Sequence, residues 1–318
     1  MNRFITSIPS PTISYIDLGP VRVHFYALLI LIGIVLAVII ANNRLTKRGG
    51  ESGIVLDIVL WAVPFGIVGG RFYHVVTHWN DYFATGADPM SVFRIWEGGL
   101  AIYGALLFGA VGALIGCRIS GIRFLSFTDA VAPGILLAQA IGRWGNYFNN
   151  ELFGTPTDLP WGLQIAKDNS AYPKGYPDSP EVFFHPTFIY ESLWSLIGVV
   201  LLFVLDRKLQ LRWGKLFALY LIYYSIGRIL VESIRIDPSS VVLGLRTNIW
   251  SAIFGIIVGI AIIVVQTNRH PTVEISVYRP GRSAPVKPEV EADAIDSTVA
   301  DTTSTEVDEV DSEVKPSA

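Results

Sequence analysis

KLFALYLIYYSIGRILVESIR, residues 215–235, is the stretch whose reading decides the fold. Its apolar length matches the roughly 20 residues that a helix needs to cross a bilayer. Yet Arg228, Glu232 and Arg235 fall inside it. Tyr224, Arg228, Glu232 and Arg235 follow one another at intervals of four, four and three, which sets them on one face of a helix. One reading of that face is an intrahelical Arg228–Glu232 pair. Another is a polar stripe facing a cavity. The two are compatible, since Glu232 can orient Arg228 while the guanidinium binds a ligand.

Six further apolar runs accompany this one, at about 21–41, 54–78, 98–117, 126–144, 187–205 and 248–266. The chain of 318 residues is 51% hydrophobic and only 16% charged, where soluble domains carry roughly 25% charged residues. Together these predict an all-α integral membrane protein with seven transmembrane helices. Lys and Arg gather in alternate loops: Arg44, Lys47 and Arg48 after the first run, Arg118 and Arg123 after the third, and Arg207, Lys208, Arg212 and Lys215 after the fifth. The loop between the second and third runs is acidic by contrast, with Asp81 and Asp88 against one Arg94. Basic short loops stay cytoplasmic. The N-terminus is therefore expected outside and the C-terminus in the cytoplasm, with Arg269, Arg279 and Arg282 following the last run. The longest connection, about 145–186, then forms an outer-side loop region. Its Trp161, Tyr172, Tyr176, Phe183 and Phe184 suit a membrane interface, and it reads as a partly ordered cap.

The expected organisation is a membrane domain over 1–270 and a tail over 271–318. From Glu289 to Glu313 nearly every charge is acidic and aromatics are absent, the composition of a disordered cytoplasmic segment. No catalytic role is assigned to it. Cys117 is the sole cysteine, which excludes an internal disulfide or a thiolate metal cluster. The five histidines form no HExxH-like pair, so no metal is expected, and no cofactor either. Residues 1–20 hold Arg3, Pro9, Pro11, Asp17 and Pro20 without an apolar core, so no cleavable signal is read there. No nucleic-acid partner is expected.

A helix rises about 1.5 Å per residue, which gives each charge a depth measured from the basic loops. Arg71 comes out roughly 25 Å up, Arg143 roughly 21 Å and Arg228 roughly 20 Å. Tyr26 and Tyr103 lie a few residues below the outer ends of their runs. Polar residues of five runs thus converge in the outer leaflet. A charge in hydrocarbon costs about 2.5–3.5 kcal/mol on insertion scales and needs a partner or a purpose. Arg71, close to the interface, has two readings: a snorkelling or salt-bridged arginine, and a ligand contact. For Arg143 and Arg228, level on two helices, a shared anionic ligand is the favoured reading.

GRWGNYFNNELFG, residues 142–154, is denser still. Gly142 and Gly145 permit close backbone approach around Arg143, and Asn146, Asn149 and Asn150 supply amide groups. Irregular polar backbone at this depth is tolerated only against protein or a wet cavity. The segment resembles the central motif of bacterial prolipoprotein diacylglyceryl transferases, a pattern close to GRxGNFxNxExxG, with Tyr147 replacing the usual Phe. Collinear with it, Val23-His24-Phe25-Tyr26 resembles the family's first-span entry and Gly69-Gly70-Arg71 its span-2 motif. Trp96-Glu97-Gly98-Gly99-Leu100 resembles the start of span 3. His185-Pro186-Thr187 with Tyr190-Glu191 is similar to HPxQxYE, and Arg228, Glu232 and Arg235 to RxxxExxR. The resemblance covers about residues 15–265. Two departures stand out. In GGLAIYGA, Tyr103 occupies the place of a frequent family histidine, and Phe188 stands where HPxQxYE has Gln.

The resemblance implies an enzyme of the bacterial plasma membrane. It would move the diacylglyceryl group of phosphatidylglycerol to the lipobox cysteine thiol of a preprolipoprotein, forming a thioether and releasing glycerol 1-phosphate. Arg143 and Arg228 would bind the phosphate and neutralise charge developing on the leaving group. Asn146 would bond the head group. Glu151 and Glu232 would orient the arginines, with a general-base role as the alternative. Tyr26, Tyr103 and Tyr224 are candidates for proton relay or head-group contact, with an interfacial aromatic as the plain alternative. Arg71 and Gly154 complete the implied phosphatidylglycerol-binding set. The attacking sulfur belongs to the substrate, so Cys117, at the far end of its helix, is expected only to pack. A monomer is expected. A transporter of an anionic substrate is the main competing reading. It would show internal repeats and a midplane site, and neither is visible. A seven-span receptor would not need paired arginines or the polar 142–154 segment.

Overall fold

The computed structural model describes residues 7–19, 21–169, 171–176 and 182–283, all within the unit Met1–Ala284. An antiparallel hairpin of β1 (Tyr15–Leu18) and β2 (Val21–His24) leads into α1 (Phe25–Lys47). Then come α2 (Ile54–Thr77), the short α3 (Trp79–Phe83), and 3-10 turns at Pro89–Phe93 and Ile95–Glu97. The chain continues through α4 (Ile102–Ile119), α5 (Phe124–Phe148), α6 (Thr187–Leu209) and α7 (Lys215–Glu232). A second hairpin, β3 (Val241–Val242) with β4 (Leu245–Arg246), precedes α8 (Thr247–Arg269). The fold is helical with little sheet.

Among the described residues, six helices are long and apolar enough to cross a membrane: α1, α2, α4, α5, α6 and α8. α7 is not among them, because Lys215, Arg228 and Glu232 lie within its 18 residues. It packs against α5, α6 and α8. Several boundaries differ from the sequence reading, beginning with residues 21–24, which form β2 and not the start of the first membrane run. α5 continues to Phe148, so Asn146, beyond the expected end of the run at 144, stands on regular helix like Arg143. α7 stops at Glu232, which puts Arg235 in the next connection and off the helical stripe. α4 starts at Ile102, because Gly98 (φ +92°) and Gly99 (φ +74°) take left-handed backbone that no helix can include.

In lipid, helices gain little by hiding apolar surface from one another, so close backbone approach carries the packing. Gly69 of α2 and Gly104 of α4 face each other so tightly that a Cβ on either would overlap the partner helix. Gly116 lies on Ile58, and Gly134 of α5 on Ala37 of α1. Ile30, Leu60, Val68, Leu106 and Phe254 point outward, exposed to what would be hydrocarbon.

Connections alternate between two ends of the bundle. At one end Arg44, Arg48 and Arg212 converge on Asp206. Buried Asp129 accepts the Gly214 and Phe217 N–H groups at the start of α7. Cys117 packs there, fully buried, beside Leu45, Ile58 and Ile122. The membrane domain expected to end at 270 extends further. Val277 and Tyr278 enter the same core, Arg279 N–H donates to the Gly121 carbonyl, and Glu274 takes the Ser126 hydroxyl and Arg123. The rest of the expected tail, 284–318, lies outside the described residues. At the other end the long connection builds a small core of Phe153, Leu163, Ile165 and Phe184 against Phe188 of α6. The N-terminal segment joins it, with Ile8 N–H donating to Gly162 and Gln164 N–H to Ile8.

Candidate active site

Arg143 near the end of α5 and Arg228 on α7 meet at one carboxylate oxygen. Glu191 Oε1 lies 3.2 Å from Arg143 Nη2 and 3.2 Å from Arg228 Nη1. The sequence reading brings the two arginines together on a shared anion; here that anion is supplied by α6. Both guanidiniums remain partly exposed, into a cleft lined also by Trp194, Ser195, Tyr224 and Gly227. Tyr224 is thus beside the pair, one turn before Arg228.

Glu232 is the second anchor. Its side chain is fully buried and pairs with Arg228 Nη2 at 2.9 Å and with Arg246 Nε at 3.0 Å. A buried carboxylate needs such partners, since an unpaired charge there is costly. Asn248 Nδ2 also donates to Glu232, at 3.0 Å. Asn248 Oδ1 then accepts from the Tyr103 hydroxyl at 3.3 Å. Tyr103 is therefore one amide away from the Glu232–Arg228 pair. Arg246 continues to Asp237, which Arg235 also holds at 2.6 Å. Burial pulls the Arg235 guanidinium down, but its bond to Asp237 and the nearby carboxylates reverse this and hold it above its usual value.

On the α5 side, Asn146 Oδ1 accepts from Arg143 Nη1 at 3.4 Å, and its Nδ2 donates to Glu151 at 3.0 Å. Glu151 takes a second amide from Asn149 at 3.2 Å. Among the described residues Glu151 pairs with no arginine; its hold on Arg143 runs through Asn146, and the direct carboxylate partner is Glu191. The Tyr26 ring packs on Gly145, where a Cβ would overlap it, with Arg143 and Glu151 as its charged neighbours. Gly154 stands apart from the cleft. Its N–H donates to His185, and a Cβ there would press on His185 and the Ile234 carbonyl, so it is a packing position.

Arg71 does not join the cluster. Its guanidinium donates to the carbonyls of Ser91, Val92, Gly98 and Gly99, stapling the connection between α2 and α4. It lines a separate cleft with His74, Asp81 and Glu97. Five donors fed into a fan of carbonyls leave little for a ligand. Among the described residues, no group of His, Cys, Asp and Glu could hold a metal ion.

Glu191, Arg246, Asn248 and Asp237 escaped the sequence reading as site residues. Glu191 carried a signal, a carboxylate inside an apolar run. Arg246 and Asn248 sit at the edge of a run, where polar residues are ordinary. The departures at 147 and 188 turn out to be neighbours: the Tyr147 and Phe188 rings stack at 4.9 Å, and the Tyr147 hydroxyl donates to Pro9.

The model of the family described as prolipoprotein diacylglyceryl transferase matches residues 13–265. A protein of Leifsonia xyli subsp. xyli named phosphatidylglycerol–prolipoprotein diacylglyceryl transferase is 50% identical over 305 residues, covering 92% of this chain and 90% of its own. One of the same name from Paenarthrobacter aurescens is 49% identical over 267 residues, 82% of this chain and 84% of its own. Another, from Mycobacteroides abscessus, is 50% identical over 256 residues, 77% and 74% of the two chains. The cleft and the motifs that line it therefore stand in a known context: the chain belongs to the prolipoprotein diacylglyceryl transferase family.

Proposed function

We propose that the chain is a multi-pass enzyme of the bacterial plasma membrane that transfers the diacylglyceryl group of phosphatidylglycerol to the lipobox cysteine thiol of a preprolipoprotein. The observation that carries the reading is the meeting of Arg143 and Arg228 on one anionic oxygen. A phosphate oxygen offers the same charge to the same two donors, and guanidinium groups suit it. The sulfur attacks the glyceryl carbon, an S–C bond forms, and the C–O bond to phosphate breaks with its electron pair leaving on oxygen. Glycerol 1-phosphate departs with one more ionisable oxygen than the diester had, and the thiol proton is released. Arg143 and Arg228 oppose the charge that grows on the leaving group, in a site with little water. A free thiol has a pKa near about 8.5, and a cationic site lowers it, so no strong base is required.

Tyr26, Asn146 and Tyr224 are assigned to the head group, Glu151 to holding Asn146, and Glu232 to holding Arg228. Tyr103 is assigned to proton relay, supported by its link to Glu232 through Asn248. Arg71 and Gly154 act through the fold. In this reading α7 is the seventh span, its charges facing the cleft. The N-terminus and the cap lie outside, the Arg44 and Arg212 end is cytoplasmic, the tail from 284 takes no part in the chemistry, and one copy suffices. The transporter reading gains nothing from the geometry, since the paired arginines lie toward the cap end rather than midway.

The test is a lipidation assay with purified protein, phosphatidylglycerol vesicles and a lipobox peptide, following thioether formation and glycerol phosphate release. Arg143→Ala and Arg228→Ala are each expected to lower the rate at least about 100-fold, the scale of losing one charge-stabilising donor. Full activity in either variant would remove the phosphate clamp. Flux of an anion without lipid turnover would favour the transporter.

A further inference from the structure

Glu151 sits between two residues with left-handed backbone. Asn150 has φ +51° and Leu152 φ +60°, and among the described residues only five non-glycine positions have positive φ. Asn tolerates this region; for Leu it is an uncommon and costly conformation. Such geometry persists where the surroundings over-determine it, and it clusters at functional sites. Both residues are held, from different sides. Asn150 is held by the cap: Ser10 Oγ donates to its side-chain oxygen, its Nδ2 donates to the Pro11 carbonyl, and Asn169 donates to its own carbonyl. Leu152 is held by α6, where the buried Thr187 hydroxyl donates to the Leu152 carbonyl. Between them, Glu151 N–H donates back to the Asn146 carbonyl and its carboxylate takes the Asn146 and Asn149 amides.

We propose that Thr187 is a positioning residue. By holding Leu152 in left-handed backbone, it aims Glu151 at Asn146 and, through Asn146, sets the Arg143 guanidinium. This rests on the assignment of Arg143, Asn146 and Glu151 to the head-group site. Thr187 lies one helical turn before Glu191 on α6, so the two carboxylates that reach Arg143, one directly and one through Asn146, are tied to a single turn. The position requires a hydroxyl: valine has the same shape and no donor, and would leave the Leu152 carbonyl without that bond.

The experiment uses the full chain in phosphatidylglycerol proteoliposomes with a lipobox peptide, measuring kcat, KM and the thermal midpoint. Thr187→Ser is expected to keep rates within about twofold, and Thr187→Val to lower kcat/KM about tenfold with the midpoint down by only about 2–4 °C, the scale of one hydrogen bond to a partly buried acceptor. Adding Leu152→Gly to Thr187→Val is expected to restore most of the rate, because glycine takes positive φ at no steric cost and no longer needs the tether. A role in folding alone predicts no such rescue. Wild-type rates in Thr187→Val overturn the proposal, and so does a loss that Leu152→Gly leaves in place. Glu151→Gln separates the two readings. Full activity there defeats the head-group assignment itself, whereas an impaired Glu151→Gln beside a fully active Thr187→Val defeats only the positioning role.

Discussion

Arg246 has no contact with the cleft, yet it sets the charge that the cleft presents. Around the paired arginines, Arg143, Arg228 and Arg246 stand against Glu191 and Glu232. Counting only the directly paired groups, three guanidiniums and two carboxylates leave one positive charge to face the single negative charge of a phosphodiester, with Glu151 one amide further from Arg143. Asp237 is balanced by Arg235. Replacing Arg246 with Gln makes the group neutral and turns Glu232 wholly onto Arg228. The ion pairs Arg246–Glu232 and Glu232–Arg228 run in series at 3.0 and 2.9 Å. A phosphate beyond Arg228 is then about 10 Å from the lost charge, and at an effective dielectric of about 20 the lost attraction is about 1.7 kcal/mol. That corresponds to about 20-fold in affinity. Arg246→Gln is therefore expected to raise the phosphatidylglycerol KM about 20-fold. Adding Glu232→Gln restores the single positive charge and brings KM back toward wild type, even where kcat stays low for want of Glu232. Initial rates against phosphatidylglycerol concentration for the two singles and the double decide it, read as a double-mutant cycle. An Arg246→Gln enzyme with KM within twofold of wild type, or a double variant with weaker binding than Arg246→Gln, would refute the charge argument.

Three further outcomes follow from the same geometry. Tyr103→Phe removes the donor to Asn248 and is expected to slow turnover about fivefold, on the scale of about 1 kcal/mol per hydrogen bond; equal rates for wild type, Tyr103→Phe and Tyr103→His would take this residue out of the chemistry. A chain ending at residue 283 is expected to keep its thermal midpoint, while one ending at 270 loses the buried Val277, Tyr278 and Glu274 contacts. Differential scanning should find that shorter chain lower by about 5 °C or more. Gly145→Ala places a methyl group into the Tyr26 ring and is expected to cost about tenfold or more in kcat/KM, whereas Gly142→Ala meets open space; equal rates for the two alanine variants would show that the Tyr26 contact is immaterial.

How much of this was legible in the sequence depends on which coordinate is asked for. Length along an apolar run gives depth, because a helix in lipid climbs at a fixed rise. Depth puts Arg143 and Arg228 level, and the structure joins them. Depth alone carries no azimuth. Arg71 sits near the same height, but α2 turns it toward its own connection, where Ser91, Val92, Gly98 and Gly99 use up its donors. A charge inside an apolar run is conspicuous, so Arg228 and Glu232 stood out, while Arg246 at the edge of a run resembled any interfacial arginine. The same charges that single out α7 also take it below the composition of an ordinary span. Helix limits carried another part of the error. Gly145 and Asn146 read as irregular chain, but helix continues to Phe148, with Gly145 against the Tyr26 ring; Asn149 and Asn150 do leave the helix. Two of the three motif departures make the point from the other side. Tyr147 for Phe and Phe188 for Gln are separated by 40 residues of chain and look independent. In the fold their rings stack on each other, and the Tyr147 hydroxyl donates to the Pro9 carbonyl. What a single sequence withholds is which residues share a face across helices, and in this chain that is where Glu191, Arg246 and Asn248 enter the site.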